Sequence, residues 1–168
     1  HFLTTLPERE LRSGFAEIIK HCLIADASMW EDIRRRDLDE QDWPRLVAHS
    51  VAVKQRVVEQ DPTEKGLRKI LNFGHTIGHA VETYFLTQPR KRLLHGEAIA
   101  VGMITEAFIA FQKKMIDQSL LTATEEYIFS VYGNVKLNDE DIDPILALTL
   151  QDKKNRGRDV RMALLDGP

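Results

Sequence analysis

The sequence predicts an all-α, multi-helical domain that closes with one short C-terminal strand. Apolar residues recur at three- and four-residue steps in one segment after another, the signature of helices that bury one face. The breakers Asp61-Pro62 and Gln88-Pro89 fall between those segments. A chain of 168 residues with 43% hydrophobic content can also enclose one real core.

The opening His1 to Pro7 lacks an initiator methionine and reads as a segment entering from an earlier domain. Pro7 suits a first helical turn, with Thr5 or Leu6 near the cap and Glu8 and Glu10 favourable to the dipole. A helix over about 7–25 comes next. Leu11, Phe15, Ile18, Ile19, Cys22 and Leu23 form its apolar stripe, and Gly14, Glu17, Lys20 and His21 share an adjoining face. Taken alone, Glu17 and Lys20 have the spacing of a solvated ion pair.

A second helix over about 27–36 ends in the solvated run Arg34-Arg35-Arg36. A third, about 40–60, takes Leu46, Val47, Val51, Val57 and Val58 as its core stripe. Lys54 lies among those valines, a candidate anion ligand as well as an ordinary surface charge. Asp61 caps a central helix over about 64–86. A basic loop leads to the most apolar segment, His95 to Met115, buried rather than membrane-spanning because Glu97, Glu106 and Lys113 interrupt it. Two more helices lie near 117–131 and 139–151. Beyond a polar turn, Val160 to Leu165 reads as the short strand.

A formal charge of −3, with cations interleaved among acids, argues against a nucleic-acid partner. The single Cys22 excludes an intrachain disulfide, fits a reducing cytoplasm and reads as packing rather than a reactive thiol. No stretch has the character of a membrane span or a signal peptide.

On a continuous helix, Arg68, Asn72, His75 and His79 would share one face, bordered by Gly74, Gly78 and Ala80. The interior glycines are unfavourable for helix by about 1 kcal/mol each, so close approach by a backbone, metal or ligand is the expected return. His75 and His79 have a zinc-pair spacing, but Thr76 stands where a metalloprotease motif needs glutamate. Satisfied core or surface histidines would have the same spacing. With His95 in LLHGEA and Glu17 in AEIIK, a carboxylate and two imidazoles from three segments form the donor set of a catalytic zinc with one open position.

GFAEIIK, DPTEKGLRKILNFGHTIGHAVE and LLHGEAIAVGM occur in the order found in 3-dehydroquinate synthases, and nearly the whole chain resembles the C-terminal domain of that family. The resemblance implies the helical half of a two-domain, dimeric, cytoplasmic enzyme whose N-terminal half binds NAD. It implies conversion of 3-deoxy-D-arabino-heptulosonate 7-phosphate to 3-dehydroquinate and phosphate, in the shikimate pathway. The steps are transient oxidation, phosphate elimination, re-reduction and aldol closure. The family's zinc (or cobalt) ligands fall on Glu17, His75 and His95. Its substrate contacts fall on Lys20, Lys54, Arg68, Asn72 and His79, and its acid/base pair on Glu64 and His79. A further cation is one of Lys153, Lys154 and Arg161, and Phe2, Leu3, Thr4 and Thr5 match the stretch lying against NAD. Lys54 and Arg68 together suit a substrate carboxylate, favouring this reaction over related sugar-phosphate cyclases. A metal-dependent polyol dehydrogenase and a stand-alone helical binding module are the more distant readings.

Overall fold

The computed structural model describes residues 5–88, 91–151 and 160–167. Within them the chain forms seven α-helices: α1 (Glu8–Ala25), α2 (Ala27–Ile33), α3 (Trp43–Gln60), α4 (His75–Leu86), α5 (His95–Gln112), α6 (Gln118–Tyr132) and α7 (Asp139–Leu150). Short 3-10 turns at Leu38–Glu40 and Leu67–Asn72 link them. Among the described residues no helix is long and apolar enough to cross a membrane.

α5 is the centre of the packing, with α1, α4 and α6 against it. Its small residues Ala98, Ala100, Ala107 and Ala110 let those neighbours approach, while Ile99 and Met103 fill the space between. The main core joins Phe15, Ile19, Trp30, Ile33, Leu46, Phe73, Ile99, Met103 and Ile128. A smaller core of Ile77, Val81, Phe85, Ala98 and Ile145 seats α7 on α4. Side-chain caps begin several helices: Asp26 accepts from Met29 N at 3.0 Å and Asp117 from Leu120 N at 2.8 Å.

The structure corrects three expectations. First, the central segment is not one helix over 64–86. The turn Leu67–Asn72 ends at Phe73, and α4 starts only at His75, after Gly74 adopts a left-handed φ of 76°. The cause is contact with α5: a Cβ on Gly102 would lie 1.9 Å from Gly74 O, and one on Gly74 2.5 Å from Met103 Cγ. Arg68 and Asn72 therefore do not continue the helical face of His75 and His79.

Second, α3 buries Leu46, Val53 and Val57, leaving Val47 and Val51 exposed. Val53 completes a stripe at steps of seven and four, whereas Val47 and Val51 lie outside it. Third, the segment 160–167 contains no strand. Leu165 is buried in the main core with Ala163 and Leu164 packed beside it, so side-chain burial rather than strand pairing holds this segment.

Candidate metal centre

α4 projects His75 and His79 one turn apart, and the first turn of α5 brings His95 to them. The three imidazoles present ring nitrogens that all lie within 4.8 Å of one another. Their ring centroids are 5.1 Å apart for His75 and His79, 5.7 Å for His75 and His95, and 5.9 Å for His79 and His95. α1 adds Glu17, whose Oε1 faces His75 Nε2 at 3.4 Å. That is too long for a strong hydrogen bond. It matches the roughly 3.3–3.4 Å between two donors that share a tetrahedral ion at about 2.0–2.1 Å.

The second ring nitrogens of His75 and His95 are engaged in the way a metal site requires. His75 Nδ1 lies 3.0 Å from Phe73 O and His95 Nδ1 lies 3.1 Å from Glu82 Oε2. A proton on each Nδ1 satisfies these acceptors and leaves Nε2 with its lone pair, the tautomer that ligates. Glu17 Oε1 is buried and has no hydrogen-bond partner among the described residues. A buried carboxylate oxygen facing an imidazole lone pair is stabilised by a cation between them, so the donor set fits a divalent metal.

The charge balance supports the same fit. Lys20 Nζ donates to Glu17 Oε2 at 2.8 Å, and Lys20 is only 2% exposed, so the ion pair is not the solvated one its spacing allows. Burial alone raises the Glu17 carboxyl. The His75 contact and the Lys20 ammonium more than reverse this, holding it well below the usual carboxylate range. Burial, together with repulsion from Lys54, lowers Lys20 against the pull of Glu17. Lys54 is exposed on α3 and close enough for its charge to act on both Lys20 and His21.

A second group surrounds a cavity of about 390 Å³ lined by Glu64, Lys69, Asn72, Thr76, Arg161, Met162 and Ala163. Glu64 Oε1 accepts from Asn72 Nδ2 at 2.9 Å, and Thr76 ties this wall to α4 beside His75. Glu64 itself has a left-handed φ of 54°, uncommon for a side chain with a Cβ. Asp61 holds this loop by accepting from the backbone N–H groups of Lys65, Gly66 and Arg68. Arg68 turns its guanidinium to Pro62 O at 3.0 Å and does not line the cavity. Thr5 is exposed, whereas Phe2, Leu3, Thr4, Lys153 and Lys154 lie outside the described residues.

Several positioning groups escape a reading of the sequence. Glu82 orients His95. Arg9 forms a two-pronged pair with Glu97 at 2.7 Å for both bonds and also reaches Arg92 O at 2.9 Å, clasping the start of α1 to the start of α5. Ser13 Oγ accepts from Gly96 N at 2.9 Å on the same seam. Glu97 also accepts Leu94 N at 2.7 Å, the N3-to-N-cap half of a capping box, but the apolar Leu94 at the N-cap leaves no capping-box signature in the sequence.

A family model described as 3-dehydroquinate synthase C-terminal matches residues 14–155. A 3-dehydroquinate synthase of Parabacteroides distasonis is 38% identical over 167 residues, covering 98% of this chain and 47% of the relative. One from Leptospira interrogans is 39% identical over 176 residues, covering 99% and 46%. The chain thus spans about half the length of these curated relatives. Among solved structures, a 2-epi-5-epi-valiolone synthase from Streptomyces hygroscopicus with NAD+ and Zn2+ bound superposes with a TM-score of 0.74 at 23% identity. It covers 91% of this chain and 44% of that one, a likeness of fold. A 2-deoxy-scyllo-inosose synthase complexed with carbaglucose-6-phosphate, NAD+ and Co2+ gives a TM-score of 0.65 at 26% identity, covering 90% and 42%.

Proposed function

The chain belongs to the 3-dehydroquinate synthase family, matching its C-terminal domain, and from that premise we propose that it is the metal- and substrate-binding half of such an enzyme. The reaction is conversion of 3-deoxy-D-arabino-heptulosonate 7-phosphate to 3-dehydroquinate and phosphate, in the cytoplasm, by a homodimer in which an N-terminal NAD-binding domain completes each active site. The observation that supports this reading is the cluster of His75, His79 and His95 with Glu17 of α1 facing His75. Glu17, His75 and His95 hold the ion, and His79 is left for the substrate.

Zinc or cobalt held by these residues would supply positive charge that makes a substrate hydroxyl easier to deprotonate, and NAD on the N-terminal half would supply the hydride acceptor. Lys20 keeps Glu17 ionised and oriented. Glu64, steadied by Asn72, and His79 move protons to and from substrate oxygens, a role suited to imidazole near neutral pH. The cations bind the two anionic ends of the substrate: Lys54 and Arg68 the carboxylate, with Arg161, Lys153 or Lys154 adding charge. For Arg68 to engage it must release Pro62 O, and its planar fork then suits a carboxylate.

The related sugar-phosphate cyclases remain the second reading, favoured by the structural neighbours and by the outward turn of Arg68. Phosphate release by the full-length enzyme decides between them. Turnover of the carboxylate-bearing heptulosonate phosphate, and not of carboxylate-free sugar phosphates, is expected; the reverse preference overturns the assignment. Net accumulation of NADH would instead indicate a dehydrogenase. The metal part has its own measurement. Glu17→Gln is expected to weaken zinc binding by more than the roughly 10–100-fold typical of losing an outer hydrogen-bond partner. Unchanged zinc content would remove Glu17 from the ligand set.

A further inference from the structure

We propose that Glu106 is a positioning residue for the metal centre, acting as a helix cap supplied from another helix. This rests on the metal reading above and adds a residue to it. The first backbone N–H groups of any α-helix lack partners within the helix. A capping box normally satisfies two of them, the N-cap and N3 donors, with side chains of those same two positions. In α4 those positions are Gly74 and Ile77, neither of which has a polar side chain. Glu106, one turn beyond Gly102 on α5, does both tasks: Oε2 accepts from Gly74 N at 2.7 Å and Oε1 from Ile77 N at 3.0 Å.

The two bonds bracket His75, which occupies the first position of α4, so they fix the backbone from which that ligand springs. Glu106 is fully buried, and its carboxyl lies at the N-terminal end of α4, where the helix dipole favours negative charge. Gly102 and Met103, a turn earlier on the same face of α5, press on Gly74, so the close approach and the cap act on the same turn. Glu106 touches neither ion nor substrate in this role. It sets where His75 Nε2 points relative to Glu17 Oε1.

Glu106→Gln tests this with little change of shape, because the amide nitrogen cannot accept either N–H and one of the two bonds is lost. Zinc affinity, measured by competition with a chromophoric chelator, is expected to fall on the order of 10-fold. The visible absorption of the cobalt-loaded protein should change in position or intensity, since it reports ligand geometry. Glu106→Asp should recover part of the affinity. Ile128→Val, a core change on α6, gives a control for lost stability alone and should leave affinity and spectrum as they were.

Native-state hydrogen exchange on the unaltered protein needs no variant to fold: Gly74 and Ile77 amides should exchange as slowly as the α5 core. Wild-type zinc affinity and cobalt spectrum in Glu106→Gln, or rapid exchange at either amide, would overturn the positioning role while leaving the metal site standing. Failure of the unaltered protein to bind zinc would overturn both.

Discussion

His21 sits on α1 next to Lys20, its Nδ1 2.7 Å from Ser50 Oγ and its Nε2 buried with no hydrogen-bond partner among the described residues. Burial first, and the Lys20 ammonium second, push its pKa down to about 4. In the unfolded chain the ring titrates near 6.5, so between about pH 4 and about pH 6.5 the unfolded state binds a proton that the folded state refuses. The neutral ring therefore contributes its full stability above that window, and the contribution shrinks as pH falls through it. The loss is bounded at roughly 3 kcal/mol. Urea midpoints across this window should drop for the wild type and drop less steeply for His21→Asn. Parallel curves would assign the proton to another group. The buried thiol of Cys22, pushed up to about 12 chiefly by burial, bears out its reading as packing rather than as a nucleophile.

At the scale of elements, the α4–α5 seam does most to build the site. Gly102 lets the α5 backbone press against Gly74 O, and this contact breaks the central segment into a 3-10 turn and α4. Gly102→Ala is expected to destabilise the domain by at least about 3 kcal/mol, the upper end for overpacking, because the obstacle is backbone and cannot turn aside. Chemical denaturation measures it, and a loss below about 1 kcal/mol would mean the seam can open. The same seam explains how much is legible in the sequence. Helix positions follow from local apolar periodicity, and six of the seven α-helices begin and end near their expected bounds. The His75 and His79 spacing survives because both lie within α4. The break at Gly74 is not legible, because its cause lies in α5, and a glycine in sequence does not say which backbone it admits. Glu82 and Glu106 escape notice for the same reason: each reads as one more acid on a helix until the partner helix is in place.

For the whole molecule, the donors are distributed in a way that separates metal binding from catalysis. The proposed ligands Glu17, His75 and His95 come from α1, α4 and α5, and α5 packs on both others, sharing the main core with α1 and the smaller core with α4, so the ion should bind wherever those two cores are folded. The cavity lined by Glu64, Asn72 and Arg161 is open at the surface, and the proposed reaction needs a nicotinamide held beside it. The chain spans 47% of a curated relative's length, and the proposed NAD-binding half corresponds to the remainder. These 168 residues alone should therefore take up about one zinc per chain and yet release no phosphate from the heptulosonate substrate, with or without added NAD. Joined to an N-terminal NAD-binding domain, the same residues should turn over, and Glu17→Gln should abolish that turnover. Metal analysis and a phosphate assay on the two proteins check both statements. Turnover by the 168 residues alone would show that the nicotinamide wall is not required, and zinc binding only in the joined protein would show that α1, α4 and α5 do not by themselves hold the ligands in register.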